Sequence, residues 1–428
     1  MPKTATKKSV AATKPGSMNG LRDIYTQTHP HWHKILKCLR KTGKSYGFMP
    51  VEAPIVEEEK VYTDLFRDQP HVLERTIFTQ LGNKSVALRS SVLPSVLRYY
   101  VQQKIFEEQP VSKWFYAGNI IEQDERQAAH LNYQFGFEVL GNFNHLSEAQ
   151  VICAVWEFLQ SLGMTNLELE VNMVGDGSQT GGYVSVLKDY LKGRDFDLCE
   201  ECVNHCSGRV WNVLRCTNLS CQLVVAEAPS VLDYLDTDSK THFTNVLEAL
   251  DELSIPYQLN QYYAGPTGTS RTNFAINYVA GKHPVVLGEG GNHELMLKNI
   301  AGKVLPAFGF VGNLATIAQA LEAENQEPEP DYSSEVFLVP LGEMAAKKSL
   351  RLFRDLVIHE IKVHDHFGSD GVKNQLKAAQ ECKAPVALIM GQKEAMDEMV
   401  ILRDVKSGMQ EIFPYDKIIE EVKKRLGR

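Results

Sequence analysis

The sequence predicts an α+β protein in which an antiparallel sheet with flanking helices precedes a separate C-terminal α/β domain. Stretches rich in Phe, Val and Tyr alternate with helical stretches over the first three quarters of the chain, a pattern typical of a sheet covered by helices. An acidic stretch with two prolines, EAENQEPEPDYSS, then lacks apolar periodicity and is typical of a linker. Strand and helix signals alternate beyond it, which favours a second domain.

The composition limits the class of protein. A chain of 428 residues is long enough for two or three domains of about 150 residues each. Charged residues make up 23% and hydrophobic residues 43%, and there is no apolar run near the ~18 residues of a membrane span. We therefore expect a soluble globular protein. The net charge of −8 neither supports nor excludes a nucleic-acid partner, because such partners are bound by local patches.

The N-terminus and the first elements follow from local patterns. Residues 1–15 contain four lysines without an apolar stretch, which excludes a secretory signal and makes cytoplasm the default location. Residues 33–47 carry apolar side chains at helical spacing and two glycines where we expect the helix to stop. The extended FMPVEAPIVE that follows predicts a strand ending near Pro54. Further strands are predicted at residues 135–140, 167–172, 272–278, 284–287 and 307–311, and a helix at residues 147–162.

The predicted organisation is a disordered tail (1–17), a core (18–321) with an insertion at about 183–253, a linker (322–334) and a C-terminal domain (335–428). The C-terminal domain reads strand, helix, short strand, helix, strand, strand and final helix, which predicts a mostly parallel sheet.

Five of the eight cysteines lie within the insertion, in the order C-x2-C-x3-C-x9-C-x4-C. In a cytoplasmic chain disulfides do not persist, whereas Cys199, Cys202, Cys216 and Cys221 have the paired spacing of a four-thiolate zinc site. His205 or Cys206 is an alternative ligand, and buried reduced thiols are the simpler alternative. We expect a closed, structural zinc site in a zinc-ribbon-like insertion.

Four further segments carry a recognisable pattern: YQFGFEVLG (133–141), LNQYYAGPTGTSRTNFAINY (259–278), LPAFGFV (305–311) and GSDGVKNQLKAA (368–379). Together they resemble histidyl-tRNA synthetase, a class II aminoacyl-tRNA synthetase. The resemblance spans roughly residue 20 to the C-terminus. It implies a class II core that dimerises through the region 32–56, an insertion that approaches the tRNA acceptor arm, and an anticodon-binding C-terminal domain. Lys373, Lys377 and Lys383 form a candidate tRNA contact there, and a solvated helix face is the alternative.

The resemblance also shows where reactive side chains are missing. The α-phosphate arginine of the family's second motif aligns with Ile120 or Glu122 in IIEQDERQAAHLNYQ. A carboxylate at that point repels phosphate, and Arg126 is the only local arginine that could substitute. The adenine-stacking arginine of the third motif aligns with Ala315 or Thr316.

The histidine-specific motifs depart in the same way. The family's Arg-Gly-Leu-Asp-Tyr-Tyr-Thr-Arg-Thr becomes AGPTGTSRT, so the leading arginine is Ala264, the paired tyrosines are Gly268 and Thr269, and Arg271 is retained. The Arg-Pro-Glu-Gly-Thr element reads RSSVL: Ser91 replaces the glutamate that holds the substrate amino group, and Arg89 is retained. GEGGNHEL (288–295) keeps glycines of the family's Gly-Gly-Gly-Arg-Tyr-Asp turn but not its polar side chains.

These departures favour a dimeric, non-catalytic paralogue with no catalytic residues, whose partner is tRNA, a tRNA-like RNA or a protein. Arg89, Arg126 and Arg271 are the possible remnants of the active site. The alternative is an active but divergent histidine–tRNA ligase, which would need ATP and magnesium. A third possibility is the regulatory subunit of ATP phosphoribosyltransferase, whose family usually lacks a C-terminal domain like the one predicted here.

Overall fold

Two units separate by their internal contacts in the computed structural model, Met1–Pro328 and Glu329–Arg428. The structure describes residues 20–428 except 22, 25–28, 68, 207–209, 217, 267–268, 282–283, 325, 327–333 and 368–370. The predicted tail, most of the predicted linker and Gly268 therefore lie outside the described residues.

The strands are, in chain order, β1 (Met49–Pro50), β2 (Val56–Glu58), β3 (Phe78–Leu81), β4 (Lys84–Leu88), β5 (Val111–Gln123), β6 (Ala129–Gly141), β7 (Leu167–Met173), β8 (Gln258–Leu259), β9 (Ser270–Tyr278), β10 (Val285–Asn292), β11 (Ala307–Asn313), β12 (Val336–Pro340), β13 (Val363–Asp365), β14 (Val386–Met390), β15 (Met399–Asp404) and β16 (Gln410–Pro414).

The α-helices are α1 (Trp32–Ser45), α2 (Glu59–Leu65), α3 (Pro70–Arg75), α4 (Leu93–Gln102), α5 (Ile105–Glu108), α6 (His145–Ser161), α7 (Gly177–Leu191), α8 (Glu200–His205), α9 (Trp211–Leu214), α10 (Leu219–Ala226), α11 (Thr237–Glu252), α12 (Glu294–Ala301), α13 (Leu314–Ala323), α14 (Glu343–Ile358), α15 (Val372–Glu381), α16 (Gln392–Asp397) and α17 (Ile418–Arg425).

Besides a three-stranded sheet ordered β2-β4-β3, the first unit contains an eight-stranded sheet ordered β1-β5-β6-β11-β10-β9-β7-β8. Its central pairs are antiparallel, and the two edge strands β1 and β8 pair in parallel with their neighbours. The predicted antiparallel sheet with flanking helices is therefore confirmed. The predicted strand at residues 135–140 is one half of a longer hairpin, because β5 was not recognised in the sequence.

Stacked phenylalanine rings explain why glycine recurs in the middle of the sheet. Phe274 stacks on Phe308 and Phe310 with ring centroids 5.7 and 5.6 Å apart. A Cβ atom at Gly290 would collide with the ring of Phe274, and one at Gly288 with the ring of Phe310. The glycines of strand β10 therefore let large apolar rings fill the sheet face.

The insertion lies between β7 and β8 and contains α7 to α11 and a 3₁₀ turn at Val231–Tyr234. Its described residues are helical, so the zinc-ribbon-like expectation is wrong for the secondary structure. Tyr183, Leu187 and Val213 are fully buried in an apolar cluster of the insertion itself. This core, together with helix-forming stretches on either side of the cysteines, favours helices over the short strands of a ribbon.

The C-terminal unit has a five-stranded sheet ordered β13-β12-β14-β15-β16. The pairs β12–β13 and β12–β14 are parallel, whereas β14–β15 and β15–β16 are antiparallel. The sheet is thus mixed, and the prediction of a mostly parallel sheet is wrong. The short helix α16 and the edge strand β16 were missed, since β16 (QEIFP) has little apolar pattern. Among the helices of the described chain, none has both the length and the apolar character needed to cross a bilayer.

Candidate functional site

A cavity of about 500 Å³ opens beside the main sheet of the first unit. Strands β5, β10 and β11, helix α3 and the insertion all contribute to its wall. Ser91, Glu122 and Thr269, which come from three separate motifs of the sequence, all line it. The structure therefore brings these predicted positions together in one place.

The other two predicted positions within the described residues, Ala264 and Ala315, are not among the residues that line the cavity. Ala315 lies in the first turn of α13, where its backbone N–H donates to the Asn313 side chain at 2.8 Å. Asn313 caps this helix and also faces the cavity. The capping role thus belongs to Asn313, and position 315 contributes only its backbone N–H.

Arg89 does not reach the cavity and has another function. It is 5% exposed, and its guanidinium donates to the carbonyl oxygens of Asn119 (2.9 and 2.6 Å), Ala53 (2.6 Å) and Pro54 (3.2 Å). These bonds join the segment after β1 to β5. An Arg with its donors satisfied by backbone carbonyls holds the fold together and is not available for a ligand.

Arg126 and Arg271 also lie outside the set of described residues that line the cavity. Arg126 is exposed in the turn between β5 and β6, where its backbone N–H donates to Asp124. The Nε of Arg271 lies 3.2 Å from Glu294 Oε1, an ion pair beside the start of α12. None of the three suspected remnants is therefore placed against the cavity.

Two arginines that sequence reasoning missed do line the cavity, Arg75 and Arg215. Arg75 ends α3, and Arg215 follows α9 in the insertion. Neither belongs to a motif of the family, and neither lies near the cavity motifs in sequence. The only available signal was that Arg215 is the immediate neighbour of Cys216.

Two carboxylates accompany these arginines. Thr76 forms a β-bridge with Glu122, which brings the end of α3 next to this carboxylate. Burial raises the pKa of Glu122, against the opposing attraction of Arg75. Glu289 accepts from Arg215 Nη2 at 2.6 Å and from the Tyr263 hydroxyl at 3.1 Å. Both positive charges thus have a carboxylate nearby.

A buried polar group forms part of the cavity wall. His293 lines the cavity, and its Nε2 lies 3.7 Å from Oε2 of the fully buried Glu138. Burial lowers the pKa of His293 to about 4 and raises that of Glu138 well above its usual range. Tyr116 donates to Glu138 Oε1 at 3.2 Å. Burial thus favours the neutral form of both groups at this part of the cavity wall.

The four cysteines predicted as ligands also come together. The Sγ atoms of Cys199, Cys202, Cys216 and Cys221 all lie within 4.8 Å of one another. The Sγ atoms of Cys199 and Cys216 are 3.8 Å apart. Tetrahedral zinc–sulfur bonds of about 2.3 Å would place sulfur atoms about 3.8 Å apart. The donor set and its spacing therefore fit a zinc ion.

Thiols of this cluster accept bonds from backbone N–H groups, which favour thiolate, whereas burial raises the pKa of Cys202 and Cys216. The backbone N–H of Cys199 donates to Cys221 Sγ at 3.1 Å, and that of Asn218 to Cys216 Sγ at 3.4 Å. The Cys202 backbone N–H and the neighbouring thiols lower the pKa of Cys199 to about 7. Cys206 is not in the cluster found among the described residues. His205 is instead 3.5 Å from Glu201 on the same helix.

Comparisons with known proteins follow the same division of the chain. The histidyl-tRNA synthetase family matches residues 20–176, and the anticodon binding domain matches residues 335–425. Histidine–tRNA ligase of Dehalococcoides mccartyi is 28% identical over 415 residues, which cover 96% of this chain and 99% of that protein. The ligase of Natranaerobius thermophilus is 27% identical over 414 residues, 95% of this chain and 98% of that protein.

Two solved structures share the fold. Apo histidyl-tRNA synthetase of S. aureus has a TM-score of 0.78 at 23% identity, covering 96% of this chain and all of that one (100%). A structure described as an ATP phosphoribosyltransferase regulatory subunit/histidyl-tRNA synthetase from Bacillus halodurans C has a TM-score of 0.61 at 14% identity, covering 90% and 99%. The match of both domains in order, along nearly the whole chain, shows that this protein belongs to the histidyl-tRNA synthetase family.

Proposed function

We propose that this family member is a non-catalytic paralogue that binds tRNA or a tRNA-like RNA and does not activate histidine with ATP. The observation that carries the proposal is the lack of a positive group at Ile120 and Glu122. These are the two alternative positions for the family's α-phosphate arginine, and both line the cavity. The test is histidine-dependent ATP–pyrophosphate exchange, run beside RNA gel shifts.

The charges of the cavity support this proposal. Transfer at an α-phosphate needs preorganised positive groups that meet the developing negative charge. Here Glu122 attracts Arg75, and Glu289 pairs with Arg215. A phosphate entering the cavity would have to compete with two carboxylates for the same two guanidinium groups. We infer that the cavity binds a nucleoside triphosphate poorly.

One observation favours the second candidate, an active ligase with a rebuilt site. Arg75 and Arg215 line the cavity although neither comes from a family motif. Two guanidinium groups from new positions are what such a site would need. The relatives named histidine–tRNA ligase also match over nearly their whole length. In that case exchange would be measurable and would depend on these two side chains.

RNA binding is expected to depend on exposed lysines of the C-terminal unit. Lys373 and Lys377 lie four residues apart on α15, and Lys383 follows the helix. We expect the double change Lys373→Glu and Lys377→Glu to weaken tRNA binding in gel shifts at every salt concentration tested. If both lysines contact phosphate, the slope of log affinity against log salt should fall by about 1 for each lysine.

The matched control reverses two exposed lysines on other elements of the same unit, Lys393→Glu and Lys406→Glu. It changes the net charge equally and should leave the slope unaltered. Equal losses in both double variants would show that only overall charge matters. No binding of the native chain at low salt would instead favour a protein partner.

We also propose a homodimer joined through the region 32–56. Strand β1 is the edge of the main sheet, and its Met49 is 65% exposed. An apolar side chain on an open edge is a usual site of association. Light scattering at micromolar concentration should show a dimer for the native chain and a monomer for Met49→Glu. Leu223→Glu, on an exposed face of the insertion, should remain dimeric, and a native monomer would rule out this interface.

The last part of the proposal is a structural zinc ion held by the four clustered cysteines. All four ligands come from the protein, so the ion would have no open position for catalysis. Its role would be to hold together the segments around α8, α9 and α10, which are each eight residues or shorter.

A further inference from the structure

The insertion contacts the rim of the cavity through one arginine. Arg215 Nη2 lies 2.6 Å from Glu289 Oε1 on β10, and Nη1 donates to the Gly265 carbonyl at 3.4 Å. The guanidinium also lies 5.8 Å from the centre of the Tyr263 ring. Arg215 and Glu289 are 39% and 26% exposed at their side chains, so this contact, which we call the rim latch, lies where the cavity meets solvent.

The core side of the rim latch is firmly held. Tyr263 is 5% exposed, and its hydroxyl lies within hydrogen-bond distance of both the Phe274 carbonyl and Glu289. The Tyr263 carbonyl in turn accepts from Asn172 Nδ2 at 2.8 Å. Glu289 itself belongs to the middle of β10, which is paired on both sides. The position of the carboxylate is therefore set by the sheet.

The insertion side depends on the thiol cluster. Arg215 follows the four-residue helix α9 and directly precedes Cys216. Cys199 lies 17 residues before Cys216 in the chain, and the Sγ atoms of the two cysteines are 3.8 Å apart. A helix of one turn has little stability of its own. Arg215 therefore lies between Leu214, which is buried in the apolar cluster of the insertion, and Cys216, through which a bound zinc ion would restrain its backbone from the other side.

We propose that zinc at the four cysteines acts on the cavity by positioning Arg215: the metal-bound chain holds the rim latch closed, and loss of the metal releases it. Cys216 is then a positioning residue for the cavity as well as a ligand. The proposal rests on the zinc site proposed above but not on the absence of catalysis. Because coupling between two sites is reciprocal, breaking the rim latch must weaken zinc binding by the same factor as zinc strengthens the latch.

The experiment measures the zinc affinity of the full chain by competition with a chromophoric chelator, using zinc ion alone. Glu289→Gln removes the charge of the latch from a strand that contributes no thiol. We expect its zinc affinity to fall by about fivefold or more, the lower end of usual coupling between sites. The matched control is Glu168→Gln, a carboxylate on β7 that pairs with Gln258; its affinity should equal that of the native chain.

A second readout is trypsin cleavage after Arg215. We expect the zinc-loaded native chain to be protected and the chelated chain to be cut faster, with zinc-loaded Glu289→Gln in between. Equal zinc affinities of Glu289→Gln and the native chain would overturn the coupling, and so would cleavage that is independent of zinc. Neither readout uses ATP, histidine or RNA, so the outcome is separate from that of the exchange and gel-shift assays.

Discussion

Histidine-dependent exchange of pyrophosphate into ATP will be undetectable for the native chain. Removing one preorganised transition-state donor costs about 2.7–4 kcal/mol, or roughly 10²–10³ in rate. Here neither Ile120 nor Glu122, the alternative positions for the α-phosphate arginine, supplies a positive group to the cavity, and Arg89 and Arg271 are engaged elsewhere. The histidine–tRNA ligase of Dehalococcoides mccartyi, assayed in parallel, serves as the comparison.

Restoring single side chains should not rescue exchange. Ala264→Arg and Glu122→Arg, each alone, are expected to stay at background because groups that act as a unit do not contribute additively. Robust exchange by the native chain would overturn the non-catalytic proposal. If that activity were then lost in Arg75→Ala or Arg215→Ala, the rebuilt-site alternative would be established.

The second large effect concerns the metal. The purified native chain should contain about one zinc per chain by elemental analysis, because the four thiols lie within 4.8 Å of one another. Cys202→Ser and Cys216→Ser should each lose most of the zinc. They should also lower the thermal unfolding temperature, because a zinc ion that binds only the folded chain stabilises it.

Cys206→Ser is the matched control for these variants. Cys206 lies in the same segment, but it is not in the cluster of described cysteines. Its replacement should leave the zinc content unchanged. Native protein without zinc would contradict the proposal, and zinc loss in Cys206→Ser equal to that in Cys216→Ser would show that the ligand set is wrong.

Several helices and strands could be predicted because they depend on the local sequence. Helix α6 and strands β7, β9, β10 and β11 were found from apolar periodicity and composition, with boundaries that differ by a few residues. Strand β5 was not predicted. Its residues were compared with a motif of the family, and the alternation of apolar and polar side chains along them was not considered. In the C-terminal unit the strands were predicted from their apolar pattern, but the direction of the last strands was not, because periodicity does not distinguish parallel from antiparallel pairing.

The residues of the cavity were likewise predicted only in part. Alignment located Ser91, Glu122 and Thr269, which do meet at one cavity, but it also suggested three arginines that are not among the described residues lining it. Arg89 could be excluded only after its carbonyl partners were seen. His293 and Glu138 lie far apart in the sequence, and no local pattern connects them.

The sequence by itself determined the family, the order of the two domains, the four cysteines that come together and the motif positions whose side chains have changed. These depend on residue identity and on spacing along the chain, which a sequence contains directly. Only the tertiary structure decided which charges face the cavity, that the insertion is helical, and that Arg215 connects it to Glu289. Such contacts join residues far apart in the chain, and packing and hydrogen bonding in three dimensions select them among many side chains of the same type.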